Sequence, residues 1–247
     1  VTVITNIEQY SMLIEELKKN RGSTSIEFRQ KLSEEAFAET AYYDSIVNNY
    51  FTSLTKNIFP KRKLIHGNLI EKLRYGENPH QEAAIYSFSE SLNIIQLHGK
   101  KLSYNNYNDL YAALNISKTL PKNTGTVIVK HNNPCGVSIH QDEIESLKNA
   151  MGCDPISAFG GIVCCNFKIN KKIAFEINKI FFEIVIGNGF DNEAIKILKQ
   201  KKNIRIIDAS NLKIESFYNL ISNFNSFLFQ SSDNKIFTKK NINIVSK

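Results

Sequence analysis

The chain has 247 residues, 42% of them hydrophobic and 22% charged, with a formal net charge of +7; this is long enough for one large or two smaller cores and excludes a peptide or a lone module. The basic surplus is uneven: residues 191 to 247 hold ten Lys or Arg against five Asp or Glu, and the rest is near balance, which gives little support to a specific nucleic-acid face. No apolar run approaches the roughly 20 residues needed to cross a bilayer, and the four cysteines, at 135, 153, 164 and 165, form neither a C-x-x-C pair nor a disulfide framework, so the expectation is a cytoplasmic protein without a membrane partner.

The first residues, VTVI, have the composition of a short strand, and the absence of an initial methionine implies that the native beginning lies upstream. Asn6 with Gln9 has the spacing of a helix capping pair for a segment through Lys19. Arg21 to Ser25 breaks that helix, and Thr24 with Glu27 repeats the capping spacing. Phe28, Leu32, Phe37, Ala41, Ile46 and Val47 then recur as on one or two amphipathic helices, with the aromatic members as packing residues. Pro60 and the basic cluster Lys61, Arg62, Lys63 mark a boundary.

Beyond that boundary, short apolar runs alternate with turn signals. IIQLHGK reads as a strand, NNYND as a turn, Leu110 to Leu120 as a helix, and GTVIVKH as a strand. GGIVCCNF and FFEIVIGNGF are further strands, separated by a Lys/Asn/Ile-rich helical segment. NIRIIDAS reads as a strand and Ile214 to Phe227 as a helix, within an end rich in Lys, Asn, Ile, Ser and Phe. Strands interspersed with helices predict an α/β sheet with chemistry on loops at strand ends.

Three motifs and one carboxylate stand out. LRYGENPHQ (residues 73–81) groups Arg74, a fork of donors suited to phosphate or carboxylate, with Tyr75, Asn78 and His80 on a loop shaped by Gly76 and Pro79. VIVKHNNPCG (127–136) runs a β-branched strand into Lys130 and His131 before a Pro-Cys-Gly turn. In a regular strand these two side chains face opposite ways, but a bend would let His131 carry a proton while Lys130 holds developing negative charge; a plain strand and turn is the alternative. GCDPISAFGG (152–161) offers Gly160 and Gly161 for close backbone approach, with Asp154 and Ser157 either contacting a ligand or capping a turn. Glu183 precedes an apolar strand and needs solvent, a partner or a ligand.

Zinc is not expected: Pro134-Cys135 is followed by Gly136, Val137 and Ser138, so the second thiolate of a zinc deaminase P-C-x-x-C is missing. Cys135 as a nucleophile beside His131 competes with a half-buried structural thiol. Neither G-x-G-x-x-G nor a Walker ending is present.

LRYGENPHQ, SYNNYND (103–109), VKHNNPCG and DPISAFGG, in this order, resemble the transformylase part of the bifunctional purine-biosynthesis family that combines AICAR formyltransferase and IMP cyclohydrolase activities; FFEIVIGNGF resembles a later family strand, with Asn188 where the family has Pro. The resemblance covers residues 1 to about 205. It implies formyl transfer from the cosubstrate 10-formyltetrahydrofolate to AICAR, with His131 as the proton-transfer residue, Lys130 as its partner, and Arg74, Tyr75, His80, Asn105, Gly160 and Glu183 holding the nucleotide. It also implies a cytidine-deaminase-like α/β transformylase subdomain without zinc over residues 61–247, ending in a divergent stretch. Before it, residues 1–60 correspond to a C-terminal remnant of the cyclohydrolase domain with linker helices. The intact family protein is a homodimer with a second half beyond this sequence, so the resemblance implies a catalytically incomplete chain; a nucleotide-binding or structural remnant without turnover is the competing reading.

Overall fold

The computed structural model describes residues 1–212 and 218–233. They fall into two compact units, residues 1–74 with 82–92, and residues 75–81 with those from 93 onward. Among the described residues no helix is long and apolar enough to cross a membrane.

The first unit holds α1 (Gln9–Lys19), α2 (Ile26–Leu54), β1 (Asn68–Leu73) and β2 (Ala83–Ser87). Residues 1–4 are irregular and not the expected strand: β propensity forms no ladder without a partner, and the Thr2 hydroxyl instead meets that of Thr24 at 3.0 Å. Gln9 Oε1 does reach back to the Asn6 N–H (3.2 Å), but Asn6 Oδ1 accepts from Glu8 N, so α1 opens at Gln9 with Glu8 at its cap. Ser25, not Thr24, caps α2, its hydroxyl accepting from Phe28 N at 3.2 Å, because Thr24 is engaged by the Arg29 guanidinium. α2 is one continuous helix of 29 residues. Leu32 is buried within it, whereas Phe37, expected to pack, is 76% exposed. β1 and β2 pair antiparallel, with a bulge between Leu69 and Glu71.

The second unit carries β3 (Ile95–His98), α3 (Tyr104–Ser117), β4 (Gly125–Lys130), β5 (Asn133–Ile139), α4 (Glu143–Cys153), α5 (Pro155–Ala158), β6 (Ile162–Cys165), α6 (Lys171–Asn178), β7 (Ile184–Gly187), α7 (Asn192–Leu198), β8 (Arg205–Asp208), β9 (Asn219–Asn223) and β10 (Ser226–Gln230). Six of these strands form one mixed sheet in the order β3-β8-β7-β6-β4-β5. β6, β7 and β8 run parallel, while β4 is antiparallel to both β5 and β6, and β3 to β8. This is the expected α/β class. β6 and β7 are buried along their whole length, which is why they read as unbroken apolar runs. Ile128, Val163, Val185 and Ile206 of the sheet share a core with Leu147 of α4, Ile173 and Ile177 of α6, and Leu198 of α7.

Two expectations fail here. NNYND lies inside α3 and is not a turn. The helix proposed for Ile214 to Phe227 is replaced, over its described part, by the antiparallel hairpin of β9 and β10, with Asn223 opposite Ser226; residues 213–217 lie outside the described residues. Phe and Ile spacing in that stretch fits either period.

β5 lies close against α4: a Cβ on Gly136 would come within 2.0 Å of the Ala150 carbonyl oxygen. Gly136→Ala is expected to lower stability by about 2 kcal/mol, measured as a shift of the urea midpoint; an unchanged midpoint would rule out this packing.

Candidate functional site

The sheet register brings five segments to one end. Val129 of β4 sits opposite Ile162 of β6, Ile162 opposite Ile184 of β7, Ile184 opposite Arg205 of β8, and His98 of β3 opposite Ile206. The ends of β3 and β4 therefore meet the beginnings of β6, β7 and β8. Lys130, His131, Gly160, Glu183 and Arg205 all lie at or next to these strand ends.

α3 opens at the same end. Its N-cap, Ser103, accepts from Asn106 N (3.2 Å), and Asn106 Oδ1 accepts from Ser103 N (3.1 Å), completing a capping box. Asn106 is only 5% exposed, and its side-chain amide Nδ2 donates to Glu183 Oε1 at 3.0 Å. One turn apart on α3, Asn105 Nδ2 reaches the Glu77 carbonyl at 3.4 Å, and Asp109 Oδ1 accepts from the backbone N–H of Asn132 at 2.7 Å. Asn105, Asn106 and Asp109 thus tie three separate segments to one helix start. Asn105 itself is exposed.

The turn after β4 falls earlier than expected. Lys130 pairs with Asn133, leaving His131 and Asn132 as a two-residue turn with φ of 52° and 63°, the primed geometry that matches the twist of a hairpin. Pro134, Cys135 and Gly136 are strand residues of β5, not a turn. Pro134 is tolerated because β5 is an edge strand, and Cys135 is the extra residue between the pairs Val129 with Pro134 and Ile128 with Gly136. The bend that a Lys-His site requires is thus present, directly after Lys130. His131 is exposed, and its carbonyl accepts from Asn133 Nδ2 at 2.9 Å.

Lys130 Nζ donates to the Phe159 carbonyl at 2.9 Å, which ties the hairpin to Gly160. Gly160 has φ of 73°, a conformation suited to glycine, and its N–H donates to Phe181 O, while Glu183 N donates to Gly161 O at 2.9 Å. The Glu183 carboxylate is 42% exposed and pairs with Arg205, Nη1 to Oε1 at 3.1 Å.

The loop Tyr75–Gln81 belongs to the second unit. It closes through Gly76 N to Gln81 O (2.8 Å) and Gln81 Oε1 accepting from Asn78 N (2.7 Å). Tyr75 is half-buried and His80 exposed, while exposed Arg74 falls in the first unit, directly after β1. Asp154 and Ser157 cap α5: Ser157 N donates to Oδ1 at 3.0 Å and its hydroxyl to Oδ2 at 2.6 Å, and the hydroxyl bond leads in holding the Asp154 carboxyl below its ordinary range.

Cys135 donates to the Ile128 carbonyl (3.6 Å), and burial pushes its thiol up, the opposite of nucleophile activation. Asn106, Asp109 and Arg205 were not singled out in the sequence. For Asn106, the S-x-x-N spacing from Ser103 was the available signal; nothing local marks Arg205, whose partner is 22 residues earlier.

These features define an α/β domain with a hydrogen-bonded polar cluster at one end of a mixed sheet. The family model described as AICARFT/IMPCHase bienzyme matches residues 1–247; the chain belongs to that family. Among its relatives, the "Bifunctional purine biosynthesis protein PurH" of Caldicellulosiruptor saccharolyticus is 41% identical over 245 residues, covering 96% of this chain and 47% of the relative. The protein of the same name in Rhizobium leguminosarum is 37% identical, covering 100% and 47%, and that of Ruegeria sp. is 43% identical over 213 residues, covering 84% and 40%. The chain spans about half the length of the curated relatives it matches.

Two outcomes follow. Asn106→Ala removes a capping bond and leaves Glu183 short of a donor, so it should destabilise the chain by about 1–2 kcal/mol in urea titration. With a thiol reagent at mildly alkaline pH, exposed Cys153 should react first and Cys135 slowly; buried Cys164, pushed up to about 12 by burial, and Cys165, also pushed up by burial, should react only on unfolding. Fast labelling of Cys135, mapped by mass spectrometry, would contradict its structural role.

Proposed function

We propose that this chain contributes to formyl transfer in purine biosynthesis, from 10-formyltetrahydrofolate to the 5-amino group of AICAR, and that the complete protein also cyclises the formylated product to IMP. The observation carrying this reading is that, on a chain matched by the bienzyme family over residues 1–247, the first turns of α3 hold the loop at Glu77, the hairpin turn at Asn132 and the Glu183 carboxylate.

Attack of the amine on the formyl carbon creates an oxyanion and an ammonium. In this reading His131 takes the proton from the ammonium, and Lys130, whose Nζ is anchored on Phe159 O, stabilises the oxyanion. Collapse breaks the bond to N10 of the folate, which receives the proton. Arg74, Tyr75, His80, Asn105, Gly160 and Glu183 hold the nucleotide. Residues 1–60 correspond to the end of a cyclohydrolase domain and 61–247 to the first part of a cytidine-deaminase-like transformylase domain, a reading supported by the mixed sheet flanked by helices. The complete protein is a cytoplasmic homodimer, and no zinc takes part.

Calorimetry with AICAR and release of tetrahydrofolate test this on the chain. Weak AICAR binding and slow transfer are expected, with His131→Ala lowering transfer about a hundredfold and leaving AICAR affinity unchanged. Binding with no transfer would favour a nucleotide-binding remnant, and absence of binding would overturn the proposal.

A further inference from the structure

A carboxylate in the wall of a site for a phosphorylated ligand is an electrostatic liability, because like charges repel most where water is partly excluded. Glu183 escapes it through Arg205. We propose that Arg205 is a positioning residue: it fixes the Glu183 carboxylate with one oxygen presented outward and cancels its charge, so that this wall accepts hydroxyl or amine donors of an anionic sugar-phosphate ligand. The proposal rests on the nucleotide reading above and assigns a role to a residue that does not touch the ligand.

The geometry is specific. Glu183 Oε1 takes two donors, Asn106 Nδ2 at 3.0 Å and Arg205 Nη1 at 3.1 Å, which fills that oxygen's two lone-pair sites. Among the described residues no group donates to Oε2, and the side chain is 42% exposed. Oε2 is thus the acceptor left for a ligand, and an ionised carboxylate accepts only from donors. A phosphate or carbonyl oxygen is refused there.

Arg205 is built in on its other side as well. Its side chain is 15% exposed, and Nε donates to the Lys100 carbonyl at 3.1 Å. That carbonyl is also held by Gln96 Nε2 at 2.8 Å. The loop can approach because residue 99 is glycine with φ of 98°: a Cβ there would come within 2.5 Å of Ile204 O and 2.9 Å of Arg205 Cα. An arginine fixed at both Nε and Nη1 beneath a loop is poorly placed to clasp phosphate itself. It is well placed to hold a carboxylate.

The test measures affinity of the full chain by calorimetry for AICAR and for its dephosphorylated riboside, in wild type, Arg205→Gln, Arg205→Lys, Glu183→Gln and the Glu183→Gln/Arg205→Gln pair. Arg205→Gln should weaken AICAR about tenfold and the riboside distinctly less, because only the former carries the charge that an unpaired carboxylate repels. In the Glu183→Gln background the same change should cost little, since no charge remains to cancel. Arg205→Lys keeps the charge but not the two-ended grip, so it should restore the AICAR-to-riboside ratio while leaving both affinities lowered. Equal losses for the two ligands in Arg205→Gln, or additive losses in the double variant, would assign Arg205 a merely structural role and overturn the proposal. If Arg205→Gln fails to melt cooperatively, the double variant measured against Glu183→Gln decides: little further loss is expected, and a further loss equal for both ligands overturns the proposal. Wild type that binds neither ligand would remove the nucleotide reading and this one together, whereas wild type that binds AICAR with an unaltered Arg205→Gln removes this one alone.

Discussion

The side-chain amide of Asn106 is the interaction on which the polar end of the sheet depends. It is buried, and a buried amide is costly unless its donors and acceptor are met; here Oδ1 accepts from Ser103 N and Nδ2 donates to Glu183. One side chain thus sets where α3 begins and where the carboxylate before β7 lies. Once α3 is fixed, Asn105 and Asp109 follow from helical spacing, and with them the loop at Glu77 and the hairpin turn at Asn132. A helix displaced by one residue would break all three attachments.

Open α/β sheets usually place ligands at the carboxyl ends of their parallel strands. In this chain Lys130, His131, Gly160 and Glu183 gather at the beginnings of β6, β7 and β8. The inversion comes from β4 and β5, which are antiparallel additions: the connecting hairpin turn projects from the same end as the starts of the parallel strands. Lys130 and His131 are carried there by topology, and the Lys130 bond to Phe159 O fastens them to the segment that leads into β6.

Much of the sheet was legible because buried parallel strands carry uninterrupted runs without charged residues, as in IVCC and IVIG. The errors fall where one residue type serves two structures. Asn and Asp favour turns and helix caps for the same reason, their short hydrogen-bonding side chains, so NNYND read as a turn when it was the first turns of α3. Pro134 and Gly136 looked like turn residues, yet an edge strand tolerates one and close approach to α4 requires the other. The local motifs around Tyr75, Lys130, Gly160 and Glu183 could be found by inspection. Asp109 and Arg205 could not, since their significance lies in partners far along the chain, at Asn132 and Glu183.

The left-handed backbone at His131 carries a further implication. A side chain with a Cβ in that conformation costs about 1–2 kcal/mol that glycine would not incur, and Asn-Gly is the pairing that two-residue hairpins of this geometry prefer. A chain shaped for durability alone would therefore carry asparagine at 131 and glycine at 132. If His131 carries the proton as proposed, the imidazole there is a compromise between durability and activity: the hairpin gives up some firmness to hold out an exposed side chain.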